Sequence, residues 1–313
     1  MNLSATLYII GNGFDRHHDI PSDYRDFGGY LAAVDCDTYR EVEAYFSVDD
    51  EFWWQFEQQL AHFDTDAAID YASQFLMSYG AEDWSDSGHH DYQYELERVV
   101  KAVSSTLQER FSQWVRQLPI PSRSSCKTVR LPLDPNARYL NFNYTPTLQQ
   151  AYGIPNGQIL HIHGNASDPT DQLVIGHGWE RAESDSLNYH VDMSEADVRV
   201  AEGNQIVDSY FSATFKPTTQ IIARNQQFFA NLKSVRRIFV MGHSLEEVDA
   251  PYFAEIIRNI DSSSVRWTIS YHRDLTDAQL KFSRFGIEMS LASFATLADA
   301  HRWVPQFLLR QCQ

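Results

Sequence analysis

Leu7-Tyr8-Ile9-Ile10-Gly11-Asn12-Gly13-Phe14-Asp15 is the stretch on which the reading of the fold turns. Its apolar run, Leu7 to Ile10, is strand-length, and the glycine-containing turn Gly11-Asn12-Gly13 stops it. Further on, Ser22 is placed to cap a helix that opens near Asp23. A buried strand, a glycine turn and a helix form the first unit of a parallel α/β sheet.

The second half of the chain repeats this logic. Tyr139 to Tyr144 alternates like a strand, and Gln158 to His163 is another, closed by Gly164. Leu173-Val174-Ile175 runs as a further strand into Gly176-His177-Gly178. Arg237 to Met241 leads into Gly242-His243-Ser244-Leu245, and a helix follows from Asp249 to Asn259. Val265 to Tyr271 reads as the last strand, with 275–285 and 293–309 helical. These elements predict an α/β fold: a parallel, Rossmann-like sheet flanked by helices, with strands ending at Ile10, Tyr144, His163 and Met241.

Between the halves the texture changes. From Gly29 to Leu118, glycine is rare and apolar residues recur at helical spacing, as in Phe52, Phe56, Leu60 and in Leu96, Val99, Val100, Val103, Leu107. This predicts a helical insertion over 30–129, packed on a core built from 1–29 and 130–313. The polar stretch 82–91 reads as a loop, and Pro119 to Ser125 marks the return to the core. Trp53, Trp54, Phe56 and Phe63 make the block aromatic, which serves core packing and offers a surface for stacking a base.

Composition narrows the function. The formal net charge of −17 repels nucleic-acid phosphates, so a nucleic-acid partner is not favoured, although Arg123, Lys127 and Arg130 form a small basic group. The three cysteines, Cys36, Cys126 and Cys312, lie far apart and form no CxxC pair, which fits a reducing compartment. No apolar run approaches a membrane span, and no secretory leader is recognisable, so a cytoplasmic location is expected.

Four clusters carry candidate chemistry. Gly11, Asn12, Gly13 and Asp15 follow the first strand, where backbone amides can approach a pyrophosphate, and Asp15 can bind a ribose hydroxyl or cap a helix. Strand alternation puts Asn141 and Asn143 on one face and Phe142 on the other, as amides suited to hydrogen bonding a ribose or an amide. His161 and His163 likewise share a face, and His163, directly before Gly164, is placed as a general base. Gly242 and Ser244 form a turn that presents amides and a hydroxyl to phosphate or ribose, and Asp249 can cap the following helix. A metal reading on His161, His163 and His177, with Asp15 or His243, lacks any fixed ligand spacing, so no metal is expected. If the strands are neighbours, all four clusters meet at one crevice.

The opening Ile10 to Phe27 resembles the signature of the AbiH-type bacteriophage abortive-infection proteins, and the Phe142–Thr145, His161–Gly164, Gly176–Gly178 and Gly242–Asp249 segments follow in the expected order. That arrangement is similar to the sirtuin-like nucleotide-binding folds, which include antiphage NAD hydrolases. The resemblance implies that Gly11, Asn12, Gly13 and Asp15 take the phosphate-loop place. It implies that Asn143 positions the ribose of NAD, that His163 is the catalytic histidine, and that Gly242 and Ser244 form the later ribose-binding turn. Deacetylation is not implied, because the zinc cysteines of the deacetylating sirtuins are missing. The resulting expectation is an antiphage protein that binds a nucleotide and hydrolyses NAD at the nicotinamide–ribose bond. The alternatives are a nucleotide-sensing defence module without turnover, acting with a protein partner or as a homo-oligomer, and a metal-dependent nuclease.

Overall fold

A computed structural model of the chain describes residues 4–78, 90–125, 130–192 and 194–302. Cys126, Lys127, Cys312 and most of the polar 82–91 stretch lie outside them. The chain divides into two compact units, one of 1–23, 115–174 and 217–313, the other of 24–114 and 175–216. Among the described residues, no helix is long and apolar enough to cross a membrane.

The first unit is a six-stranded parallel sheet: β1 Thr6–Ile10, β2 Arg138–Asn141, β3 Ile159–His161, β4 Arg237–Met241, β5 Arg266–Tyr271 and β6 Ala292–Thr296. The spatial order is β3-β2-β1-β4-β5-β6, with every pair parallel. This is the Rossmann order, in which the strand sequence reverses between β1 and β4. Side chains alternate across the sheet. Leu7, Ile9, Leu140, Ile238, Val240 and Ile269 enter one apolar cluster, while Tyr8, Ile10, Tyr139, Phe239 and Met241 enter the other. A sheet covered on both faces needs both sets apolar, which is why Leu7 to Ile10 reads as an unbroken run. On the second face Tyr8 stacks on its register partners Tyr139 and Phe239, at 5.0 and 5.1 Å.

Three sequence expectations need correction. β2 ends at Asn141 and β3 at His161, because Asn143 and His163 leave the ladder for turns. Leu173-Val174-Ile175 joins no sheet; Val174 N–H donates instead to the His163 carbonyl. The 293–309 helix is absent at its start: Ala292–Thr296 is the edge strand, paired in register with Trp267 to Tyr271, and a short 3-10 turn follows over Leu297–Arg302. The helical spacing of its neighbours outweighs the alternation of Ala292-Ser293-Phe294-Ala295-Thr296 in the sequence. Residues 303–309 lie outside the described ones.

The turns after β1 and β4 pack directly on each other. Gly11 N–H donates to Met241 O and Gly13 N–H to Gly242 O, at 2.9 and 2.7 Å. A Cβ at Gly11 would stand 2.6 Å from His243 Cα. At Gly242, where φ is +69°, a Cβ would stand 2.1 Å from Phe14 N. Gly242→Ala is therefore expected to cost roughly 1–3 kcal/mol through strain and overpacking. Gly153→Ala is the control, since Gly153 has φ +73° in open space. Urea unfolding should show the larger loss at Gly242; equal losses would mean that the turn-on-turn packing carries no weight.

The second unit is helical, with Tyr24–Val34, Cys36–Tyr45, Asp91–Lys101, Leu107–Arg116 and the long Val198–Thr214 as its main helices. It takes in the stretch 175–216 as well as 24–114, whereas the sequence expectation left that second stretch with the core. Phe27, Trp53, Phe56, Phe111 and Trp114 form a connected aromatic core. Phe56, Phe63 and Trp53 are thus packing residues, whereas Trp54 is exposed with Arg25 over its ring. Lys216 is wholly buried and held by Glu57 at 2.6 Å, while the Tyr24 hydroxyl donates to the other Glu57 oxygen. Such a buried charge persists only with its partner in place.

Candidate functional site

The carboxyl ends of β3, β2, β1 and β4 lie side by side, so the four polar turns share one edge of the sheet. Asp15, in the short helix Asn12–His17 after β1, is buried with 1 % of its surface exposed. Its Oδ2 accepts the Thr145 hydroxyl, which also meets Thr147, whereas Oδ1 has no partner in hydrogen-bonding geometry. Burial pushes the Asp15 carboxyl up to about 6, against the lowering effect of the Thr145 hydroxyl. The Asn12 side chain is engaged within the fold. It donates to Ser22 O and accepts the Ser22 hydroxyl, tying the glycine turn to the segment that opens the next helix.

Asn143 is held on three sides. Its N–H donates to Asn141 Oδ1, its carbonyl accepts from His161 Nδ1, and its side-chain amide donates to Gly11 O at 3.0 Å. Asn141 and Asn143 are therefore not equivalent residues on one strand face; the first builds the turn that places the second. His161 is committed in the same way. Its Nδ1 meets the Asn143 carbonyl at 3.0 Å and its Nε2 the Gln149 amide at 2.9 Å, and burial lowers its proton affinity.

His163 lies elsewhere. Past the end of β3 its ring packs edge-on against Phe142 and Tyr252, members of the opposite apolar cluster from the Leu148 side on which Gln149 sits. Phe142 also contacts the ring of His243 at 4.4 Å. Between the two imidazoles stands Asp249, with Oδ1 3.7 Å from His163 Nε2 and Oδ2 3.3 Å from His243 Nε2. Asp249 occupies the N-cap position of the helix Ala250–Arg258, yet its side chain makes no capping hydrogen bond. The capping role expected from sequence is thus corrected: the carboxylate faces the histidines. Of the remaining sequence candidates, Gly242 N–H donates to the Ser270 hydroxyl, and Ser244 is exposed at the turn.

The structure joins Asn143 to Gly11, and the Gly11–Gly13 turn to Gly242, while His163 is grouped with Asp249 and His243 and Ser244 is exposed at its turn; the strands that lead into them are adjacent. It adds Thr145, His243 and Asp249. In the sequence Asp249 stands only before a helix, which does not tell a carboxylate that caps from one that turns back. Among the described residues, no group of three or more His, Cys, Asp and Glu side chains is placed to hold a metal ion.

His177 belongs to the helical unit. It is 1 % exposed, lies among Trp179, Phe211 and Phe215, and neither ring nitrogen has a partner in hydrogen-bonding geometry. Burial holds its proton affinity down to about 4, from an ordinary 6.5. The unfolded chain then takes up this proton first, so stability falls as the pH drops from 6.5 towards 4 and levels off below. His177→Phe is expected to remove roughly 2–3 kcal/mol of that acid loss. Urea unfolding of both proteins at pH 7 and pH 4 tests this; equal acid losses would show that His177 is not the group responsible.

A family model described as bacteriophage abortive infection AbiH matches residues 7–271. No curated protein and no solved structure matches the chain.

Proposed function

The chain belongs to the bacteriophage abortive infection AbiH family, and from that premise we propose that it binds a nucleotide and hydrolyses NAD at the nicotinamide–ribose bond. One observation carries the reading. His163, Asn143 and Asp15 stand past the carboxyl ends of three adjacent parallel strands, beside the β1–β4 switch point where open α/β sheets bind their ligands. The polar groups there are held by the fold before any ligand arrives, which is what electrostatic catalysis requires.

In this reaction the bond between ribose C1′ and the nicotinamide nitrogen breaks. Nicotinamide leaves with the electron pair, and positive charge develops on the ribose. A water oxygen forms the new bond to C1′, and His163 accepts the proton that water gives up, later passing it to solvent. Asn143 holds the ribose, its amide already oriented by the Gly11 carbonyl. Asp15 offers a carboxylate to a ribose hydroxyl. The amides of Gly11, Gly13 and Gly242 are already donated to Met241 O, Gly242 O and the Ser270 hydroxyl, so the exposed Ser244 hydroxyl is the group of this turn pair that meets the phosphates.

Purified full-length protein incubated with NAD, ATP, DNA and RNA, with and without divalent metal, tests the reading by mass spectrometry of the products. Equal amounts of nicotinamide and ADP-ribose are the expected result. NAD recovered intact would overturn hydrolysis, and nucleic acid cut only in the presence of metal would replace it with a nuclease.

A further inference from the structure

We propose that Asp249 is a positioning residue that sets the tautomer of His163, within a relay running from Leu245 through His243; this rests on the reading of His163 as the base. Leu245 has φ +59°, a conformation that side-chain-bearing residues avoid. That backbone strain directs its N–H onto His243 Nδ1 at 3.0 Å. A ring nitrogen that accepts a hydrogen bond carries no proton, so His243 is protonated on Nε2, the atom facing Asp249 Oδ2 at 3.3 Å. Asp249 then gives up the capping role that its N-cap position offers and holds its other oxygen towards His163 Nε2 at 3.7 Å.

The charge on Asp249 favours a proton on the His163 nitrogen that faces it. Nε2 therefore carries the hydrogen, and Nδ1 carries the lone pair that takes a proton in catalysis. This is the same physical role that a buried carboxylate plays beside a catalytic histidine in acyl transfer: it fixes the tautomer and is not itself protonated. The distance of 3.7 Å is longer than a hydrogen bond, and catalytic contacts commonly shorten only when substrate is bound. Phe142 packs on both imidazoles and Tyr252 on His163, so the rings have little room to turn away.

Asp249→Asn separates this role from mere packing. An amide can accept from one imidazole N–H but presents its own N–H to the other. His243 is pinned by Leu245, so it keeps Nε2–H, and His163 must switch to Nδ1–H. Histidine ring-nitrogen shifts, read in a long-range proton–nitrogen correlation spectrum of the full chain, report each tautomer directly. The expected result is Nε2–H on both histidines in the wild type, and Nδ1–H on His163 alone in Asp249→Asn. The kcat for nicotinamide release should fall at least ~100-fold, with KM changed far less. His163 in the Nδ1–H form in the wild type, or unchanged in Asp249→Asn, overturns the proposal. The wild-type spectrum decides even where the variant fails to fold. If the tautomers behave as stated but no nicotinamide is ever released, the positioning role stands and NAD hydrolysis falls.

Discussion

Alanine in place of His163 is expected to lower nicotinamide release at least ~100-fold, the lower end of what a positioned acid–base group contributes, while nucleotide binding persists. The imidazole is buried, packed on Phe142 and Tyr252 and faced by the Asp249 carboxylate, so its loss removes the proposed base and leaves the turns after β1 and β4 in place. Single-turnover release of nicotinamide and a separate binding titration divide the two effects. His161→Ala is the instructive comparison. It removes the contacts to Asn143 O and Gln149, so it should lower stability and loosen Asn143. Full activity in His163→Ala against every nucleotide tested would make His163 structural and end the proposed mechanism.

Asp15→Asn is expected to stabilise the protein by up to ~3 kcal/mol at pH 7, the equivalent of the rise of the Asp15 carboxyl from 3.8 to about 6. The sign follows from proton binding. An acid whose affinity is raised by folding holds its proton to higher pH in the native state than in the unfolded chain. Stability is therefore fully present below pH 3.8, is lost as the pH rises towards 6, and stays at the lower level above. The asparagine variant keeps an oxygen for the Thr145 hydroxyl and has no charge to bury. Urea unfolding of both proteins at pH 3.5, 5 and 7 gives the difference directly, since groups common to both cancel. A difference that does not change with pH would show that Asp15 is not the titrating group.

Leu7 to Ile10 and Ile238 to Met241 were legible as strands because a parallel strand covered on both faces must be apolar throughout, and Arg266 to Tyr271 because Trp267, Ile269 and Tyr271 alternate with Thr268 and Ser270; both are local signals. The glycine turns were legible for a similar reason, though their cause was not. At Gly11 and Gly242 the missing side chain makes room for the neighbouring turn, a contact between segments far apart in the chain. The edge strand Ala292–Thr296 was misread because it is short and sits among residues of helical spacing, and only its ladder with β5 makes it a strand.

The site divides in the same way. His163 and Asn143 could be singled out because polar residues at the end of an apolar run are unusual enough to notice. The division of labour between His161 and His163 could not, since two residues that alternate along a strand share a face only while the strand lasts, and this one stops at His161. The orientation of Asp249 was equally out of reach. A carboxylate before a helix has two competing partners, the amides of its own first turn and whatever the fold brings opposite. The local sequence describes only the first, and the packing of β3 and β4 turns around Phe142 supplies the second.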